Sequence, residues 1–216
     1  AIVLCREITE LRRQEQQLLT KDATIREIHH RVKNNLQTVA SLMRIQMRRT
    51  TSDEAKEALE QAIRRVSAIA LVHNTLAEGF SDEVNFDEVF ESSMRLVGEL
   101  ATDSSREIKL RIDGKFGQLD SKLATPLAVA LTEVVTNAAS HGLGEHGGSI
   151  LITPRQTAKQ LTIEVEDNGV GFEKDAIGKG LGTQIIKTLI EGELRGKISW
   201  FSPKDGGTKV AITIPI

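Results

Sequence analysis

Apolar residues recur by sevens along the N-terminal part of the chain, at Leu11, Leu18, Ile25, Val32 and Val39, and Ile28, Leu36, Leu42 and Met43 widen the stripe. No proline or glycine interrupts residues 7–49. This pattern predicts one long amphipathic helix of the coiled-coil or bundle kind. The residues ahead of it, AIVLC, read as a short strand. A polar stretch, TTSDE, then supplies a turn and an N-cap. Ala55, Leu59, Ala62, Ile63, Val66, Ile69, Ala70, His73 and Leu76 mark a second helix. A lone hairpin of two such helices cannot bury both of its apolar sides. Two copies paired as a four-helix bundle can, so a homodimer is expected.

The pattern changes after EGFSD, residues 78–82. Residues 87–101 read as a helix and residues 107–112, EIKLRI, alternate like a strand. A strongly apolar helix is expected over residues 123–140 and another helix over 183–194. Strands are expected over residues 149–153, 161–166, 197–201 and 208–214. Strands mixed with packed helices, two of the strands in hairpin-like succession, predict an α+β fold: a helical hairpin followed by an α/β sandwich.

Composition narrows the function classes. The 216 residues suffice for one or two domains, with 39% hydrophobic and 27% charged residues. A net charge of −2 argues against a dedicated nucleic-acid binder. Cys5 is the single cysteine, which rules out an internal disulfide and fits a reducing, cytoplasmic setting. No apolar run is long enough to span a bilayer, and no secretory leader is visible. The abrupt opening on AIVLC fits a piece of a longer protein.

Two adjacent histidines interrupt the first helix in REIHHRVKNNLQ, residues 26–37. At about 100° per residue, with Ile25 centred on the apolar stripe, His29 falls about 40° away and His30 about 140° away. His29 therefore reads as a packed, hydrogen-bonded residue on the flank of the core. His30 points at solvent, and Asn34, four residues on, shares its face. Alone, His30 would be an ordinary surface histidine. An exposed imidazole, with an unperturbed pKa of about 6.5, is nonetheless a good nucleophile near neutral pH if something presents an activated electrophile.

Four segments of the second half bear on that electrophile. In EVVTNAASHG, Glu133 and Asn137 lie four apart and break the apolar helix surface at one place. In EDNGVGF, Asp167 ends a strand, and Gly169 and Gly171 let the backbone approach a ligand closely. GKGLGT, residues 178–183, opens a helix whose backbone N–H groups can cradle phosphate. It lacks the spacing of a Walker loop. DGGT, residues 205–208, precedes the last strand. Each segment alone reads as structure: a tight turn, a helix start, a polar pair on a helix. Together, in this order and behind an exposed histidine on a hairpin, they are hard to assemble by accident.

In that combination the chain resembles the sensor histidine kinases of two-component systems, with an ATPase half of the gyrase/Hsp90/histidine-kinase/MutL type. HRVKNNLQ is similar to the second phosphoacceptor type, related to the H-W-E kinases and found in actinobacterial soluble sensor kinases. The resemblance runs from Lys21 to Ile216. It implies a dimerisation and phosphotransfer hairpin over residues 21–80 and a catalytic ATP-binding domain over 81–216. Residues 1–20 resemble the last strand of a PAS sensor domain running into its signalling helix. By resemblance His30 is the phosphoacceptor, Asn137 holds Mg²⁺ on the ATP phosphates, and Glu133 organises that metal and its water. Asp167 accepts a hydrogen bond from the adenine amino group, and Gly169 and Gly171 make room for the base. Gly178, Gly180 and Gly182 flank the lid and phosphates, and Thr208 lines the adenine pocket. The implied activity is autophosphorylation of His30 by ATP, then transfer to an aspartate on the receiver domain of a response regulator. Asn34 is a candidate for orienting water in the reverse step. Arg31 follows His30 where the commonest histidine kinases have an acidic residue, so Glu27, one turn earlier, is the candidate base. The segment between Phe172 and Gly178 is a short lid. His141 and His146 read as solvated loop residues and His73 as a packing residue. Two alternatives stay open: a dimeric signalling scaffold with weak or no kinase activity, and an ATPase or serine kinase on the same nucleotide fold.

Overall fold

The computed structural model describes residues 2–78, 83–101, 107–143, 147–171, 181–203 and 206–216. Helices α1 (Ile2–Arg49) and α2 (Asp53–Glu78) form the expected hairpin. Its turn is closed by the Thr50 N–H on the Gln46 carbonyl at 3.0 Å, and Ser52 Oγ caps the Ala55 N–H at 3.3 Å. The strand expected at residues 1–5 is not formed, because α1 is already helical from Ile2. A short strand needs a neighbour to satisfy its backbone, whereas a helix bonds within itself, and among the described residues no strand lies beside residues 2–5.

The apolar stripe of α1 divides. Ala40 is buried and Val32, Leu36 and Met43 are half-buried on the side of α2. Ile28, Val39, Leu42 and Ile45 remain 53%, 40%, 58% and 46% exposed. Helix α2 is apolar on two sides. One side meets α1, and on the other Ala68 and Val72 enter the same core as Phe86, Phe90, Phe116, Leu127 and Leu131. Hairpin and sheet domain are thus packed through α2.

The sheet domain contains β1 (Glu83–Asn85), α3 (Phe86–Ala101), β2 (Ile108–Ile112), β3 (Gln118–Asp120), α4 (Ser121–Asn137), β4 (Gly148–Gln156), β5 (Gln160–Asp167), α5 (Leu181–Lys187), β6 (Lys197–Phe201) and β7 (Thr208–Pro215). β1 and β3 pair as a small antiparallel ribbon, which the sequence reading missed. The other five strands form one sheet in the order β2-β4-β5-β7-β6, parallel only between β2 and β4. Alternation places Ile150 and Ile152, Leu161, Ile163 and Val165, and Val210, Ile212 and Ile214 on the helix-covered face. The other face is polar, with Lys209 Nζ between Glu164 and Glu166 at 2.9 and 2.7 Å. Asp87 ties α3 to the segment before β3 by accepting the N–H groups of Phe116 and Gly117 at 2.9 and 3.0 Å.

Both expected helices over the site are present, and each widens in its last turn. α4 stops at Asn137 and widens into a π-helical turn, Ala138–Gly142. α5 continues as a π-helical turn, Thr188–Glu193. Among the described residues no helix is long and apolar enough to cross a membrane.

Candidate active site

Helix α4 starts on Asp120, whose carboxylate accepts the Lys122 N–H at 2.8 Å. Its far end carries Glu133, 3% exposed, and one turn later Asn137. Gly182 at the start of α5 lies against both. A Cβ there would stand 3.1 Å from Glu133 Oε2 and 3.6 Å from the Asn137 amide atoms. A glycine therefore lets α5 approach the two oxygen-bearing side chains.

Asp167, 8% exposed, sits at the end of β5. Its Oδ1 accepts the N–H groups of Gly169 and Thr208, at 3.0 and 3.1 Å. Its Oδ2 lies beside Gly142, where a Cβ would come within 2.8 Å. The turn after Asp167 is crowded. A Cβ on Gly169 would lie 1.8 Å from the Gly142 carbonyl oxygen, and one on Gly207 would lie 1.9 Å from that of Asp167. Asn168 closes the turn by accepting the Ser149 N–H at 2.7 Å. The carboxylate is thus held by main chain on one oxygen, with the other aimed past a glycine.

A cavity of about 540 Å³ lies above this turn. Asn137, Asp167, Gly171, Gly182 and Thr208 line it, over an apolar floor of Val134, Val165, Ile186 and Val210. Its size falls in the range of small-molecule sites. Gly169 packs behind Asp167 against Gly142. Gly178, Gly180, the short lid, Asp205 and His146 fall outside the described residues. His141 is exposed, as expected, and it lines the cavity.

Two residues at the site escaped the sequence reading. Trp200 of β6 pairs with Val210 and lines the cavity, with Lys187 Nζ 5.4 Å from its ring centroid. Its inward alternation with Ile198 was the available signal. The second lies behind the wall, Arg65 of α2. Its Nε donates to Glu133 Oε1 and its Nη2 to Glu133 Oε2, each at 2.8 Å. Glu54, Glu57 and Gln61 of α2 also face the cavity.

His30 lies elsewhere. It is exposed, while His29 is half-buried, as the helical wheel requires. The Nδ1 atoms of His29 and His73 are 2.9 Å apart and their rings 5.1 Å apart. Burial, and then the charge of His29, lower the His73 pKa below its ordinary value of 6.5. Arg31 Nε donates to Glu27 Oε1 at 2.7 Å, so the candidate base is already paired with the cation that follows His30. Lys33 Nζ donates to Asn74 Oδ1 across the hairpin. Asn34 is exposed one turn beyond His30. The contact with His73 fixes the level of His29 and His30 on the hairpin. Gln61, at the cavity, is about 18 Å from that level along α2, at about 1.5 Å per residue. His30 and Asn34 are therefore not brought to the cavity in this arrangement.

A hairpin bearing an exposed histidine, packed on a sandwich with this cavity, defines a class. Residues 27–101 match the family model described as histidine kinase, and residues 123–216 match the model of histidine kinase-, DNA gyrase B- and HSP90-like ATPases. The chain thus carries a histidine kinase domain followed by an ATPase domain of the histidine kinase, DNA gyrase B and HSP90 kind. The sensor histidine kinase PdtaS of Mycobacterium tuberculosis is 42% identical over 221 residues, covering 100% of this chain and 44% of that protein. A blue-light-activated histidine kinase of Rhizobium johnstonii is 26% identical over 97% of this chain and 58% of that protein. The chain thus spans about half the length of these relatives. The histidine kinase domain of the blue-light-activated kinase EL346 of Erythrobacter litoralis has the same fold, with a TM-score of 0.63 at 23% identity over 93% of this chain and 94% of that one.

Proposed function

We propose that this chain is the catalytic core of a sensor histidine kinase, which phosphorylates its own His30 from ATP and passes the phosphoryl group to an aspartate of a response regulator. The observation that carries the reading is Asp167. One oxygen is satisfied by two main-chain N–H groups and the other lies beside Gly142 at the cavity, an arrangement suited to accept an exocyclic amino group. Val134, Val165 and Val210 offer the apolar surface for the base, and Thr208 stands beside Asp167. Glu133 and Asn137, both close to Gly182, offer the hard oxygen donors that suit Mg²⁺. The metal would neutralise the phosphate charge there. Gly171 and Gly182 keep the walls free of side chains, and Gly178 and Gly180 are assigned to the lid side on resemblance alone.

His30 supplies the nucleophile. A bond forms from an imidazole nitrogen to the terminal phosphorus as the bond to the leaving ADP oxygen breaks, and the ring N–H proton is released. Positioning and charge neutralisation carry most of such catalysis. Asn34, on the same face, is placed to orient a water for the reverse step. Two copies of the chain pair through the exposed Ile28, Val39, Leu42 and Ile45 stripe, and the response regulator docks on the resulting bundle near His30. Residues 1–20 carry the heptad of α1 toward a PAS-like sensor as a signalling helix. The setting is cytoplasmic.

The test is incubation with γ-labelled ATP and Mg²⁺, comparing wild type, His29→Ala and His30→Ala. Acid-labile, base-stable label lost only in His30→Ala is expected. Label that survives in that variant, or that is acid-stable, would refute the assignment.

A further inference from the structure

Arg65 and Glu133 join the two halves of the molecule. Arg65 lies on the hairpin, and Glu133 lies beside Asn137 on the helix that lines the nucleotide cavity. The pair is a fork against a fork, with two bonds of 2.8 Å and side chains 18% and 4% exposed. Bidentate guanidinium–carboxylate pairs are the strong, orienting kind. We propose that Arg65 is a positioning residue of the kinase reaction: by holding Glu133 it parks the catalytic domain on α2 in a register from which His30 is out of reach, and transfer requires this pair to open. The proposal rests on the kinase reading.

Three observations carry it. First, both Glu133 oxygens accept from Arg65, so a metal beside Asn137 has to compete with a guanidinium for this carboxylate while the pair stands. Second, the register is wrong for transfer. Arg65 and His73 are eight residues apart on α2, about 12 Å along its axis. His73 marks the level of the phosphoacceptor through its contact with His29. Reacting atoms must come within about 3.5 Å. His30 is also exposed on α1, not covered by the sheet domain. Third, α2 presents Glu54 and Glu57 to the same cavity. Two carboxylates facing a site for a polyphosphate oppose its charge, so nucleotide entry and the parked register work against each other. Beneath the domain α2 offers Ala68 and Val72, with Ile69 and Leu71 packed beside them, and Arg65 adds a directional polar contact to this apolar face.

The experiment compares wild type, Arg65→Gln and Arg65→Lys as full chains, with melting curves as a folding control. Three quantities are read: affinity for a fluorescent non-hydrolysable ATP analogue, the rate of acid-labile labelling, and amide hydrogen exchange of residues 61–72 without nucleotide. Arg65→Gln should tighten analogue binding and speed labelling by about fivefold or more, the range of ordinary coupling between sites. Exchange on residues 61–72 should accelerate. Arg65→Lys, a point charge that cannot form the fork, should fall between. If Arg65→Gln does not fold, the lysine variant decides by the same signs. Unchanged or slower labelling in a folded variant overturns the proposal, as does unaltered exchange. Wild type that neither binds the analogue nor labels His30 would overturn the kinase reading instead. Wild type that does both, with no gain in the variants, would remove only the role of Arg65.

Discussion

The turn around Asp167 and the face of α1 around His30 are built on opposite principles. Asp167 is over-determined: two main-chain donors hold one oxygen, and Gly142, Gly169 and Gly207 press the surrounding backbone to within less than a side chain's width. His30 is held by almost nothing beyond its helix. It is exposed, and its neighbour His29 does the packing. A site that must recognise a small molecule needs atoms fixed before the ligand arrives. A residue that must be reached by two different domains in turn needs the reverse, an open approach. On the proposed reading, the catalytic domain brings a rigid site to a passive acceptor, and control lies in where that domain sits.

The sharpest way to break this contrast is a single methyl group. In Gly169→Ala the new Cβ would meet the Gly142 carbonyl oxygen at 1.8 Å, and a main-chain obstacle cannot rotate away. Overpacking of this kind costs about 3 kcal/mol. For a chain of this length the melting temperature should fall by about 6–12 °C. His30→Ala, which removes every chemical function of its site, should change stability by no more than about 0.5 kcal/mol. Thermal melts of the two variants measure this directly. Equal losses would mean that His30 is structural or that the turn tolerates more than its geometry allows.

Next in size is Asp167→Asn. The amide oxygen can still accept from Gly169 and Thr208, so the fold should survive. The other position becomes a donor and can no longer accept an amino group. Affinity for an ATP analogue should drop about tenfold to a hundredfold, the cost of an unpaired buried polar group. Retained affinity would show that the base is recognised elsewhere in the cavity.

The same contrast explains what was legible in the sequence. Period-seven and period-two patterns are local, and they placed the hairpin and all five strands of the main sheet. The side of α1 on which His30 lies followed from rotation alone. The β1 and β3 ribbon was missed because three residues carry no period and the partner lies far along the chain. AIVLC looked like a strand because β-branched residues favour pleated surfaces, but propensity without a neighbouring strand forms nothing. Asp167 and its glycines were found as a motif, whereas Trp200 looked like any inward strand residue. Arg65 was invisible for a deeper reason. On a helix wheel it is one of many charges, and only the packing of α2 on α4 gives it a partner sixty-eight positions away.

The smallest effect concerns His73, which the hairpin holds against His29. Its pKa is lowered, first by burial and then by His29. The folded state thus resists a proton that the unfolded chain accepts. The unfolded chain therefore binds more protons at pH values below its own pKa of 6.5, and stability must rise with pH in that window. The contribution is fully present above 6.5 and is lost as pH falls toward the lowered folded value. Contact geometry points the same way: Nδ1 atoms 2.9 Å apart suit one donor and one acceptor, and two protonated rings would set N–H against N–H. Melts near neutral pH and about two units lower should show a modest acid loss in wild type and in His30→Ala, and a reduced one in His73→Leu. An equal acid loss in His73→Leu would place the sensitivity elsewhere. A reduced one would show that the His29–His73 contact, and not the exposed His30, links the hairpin's stability to pH.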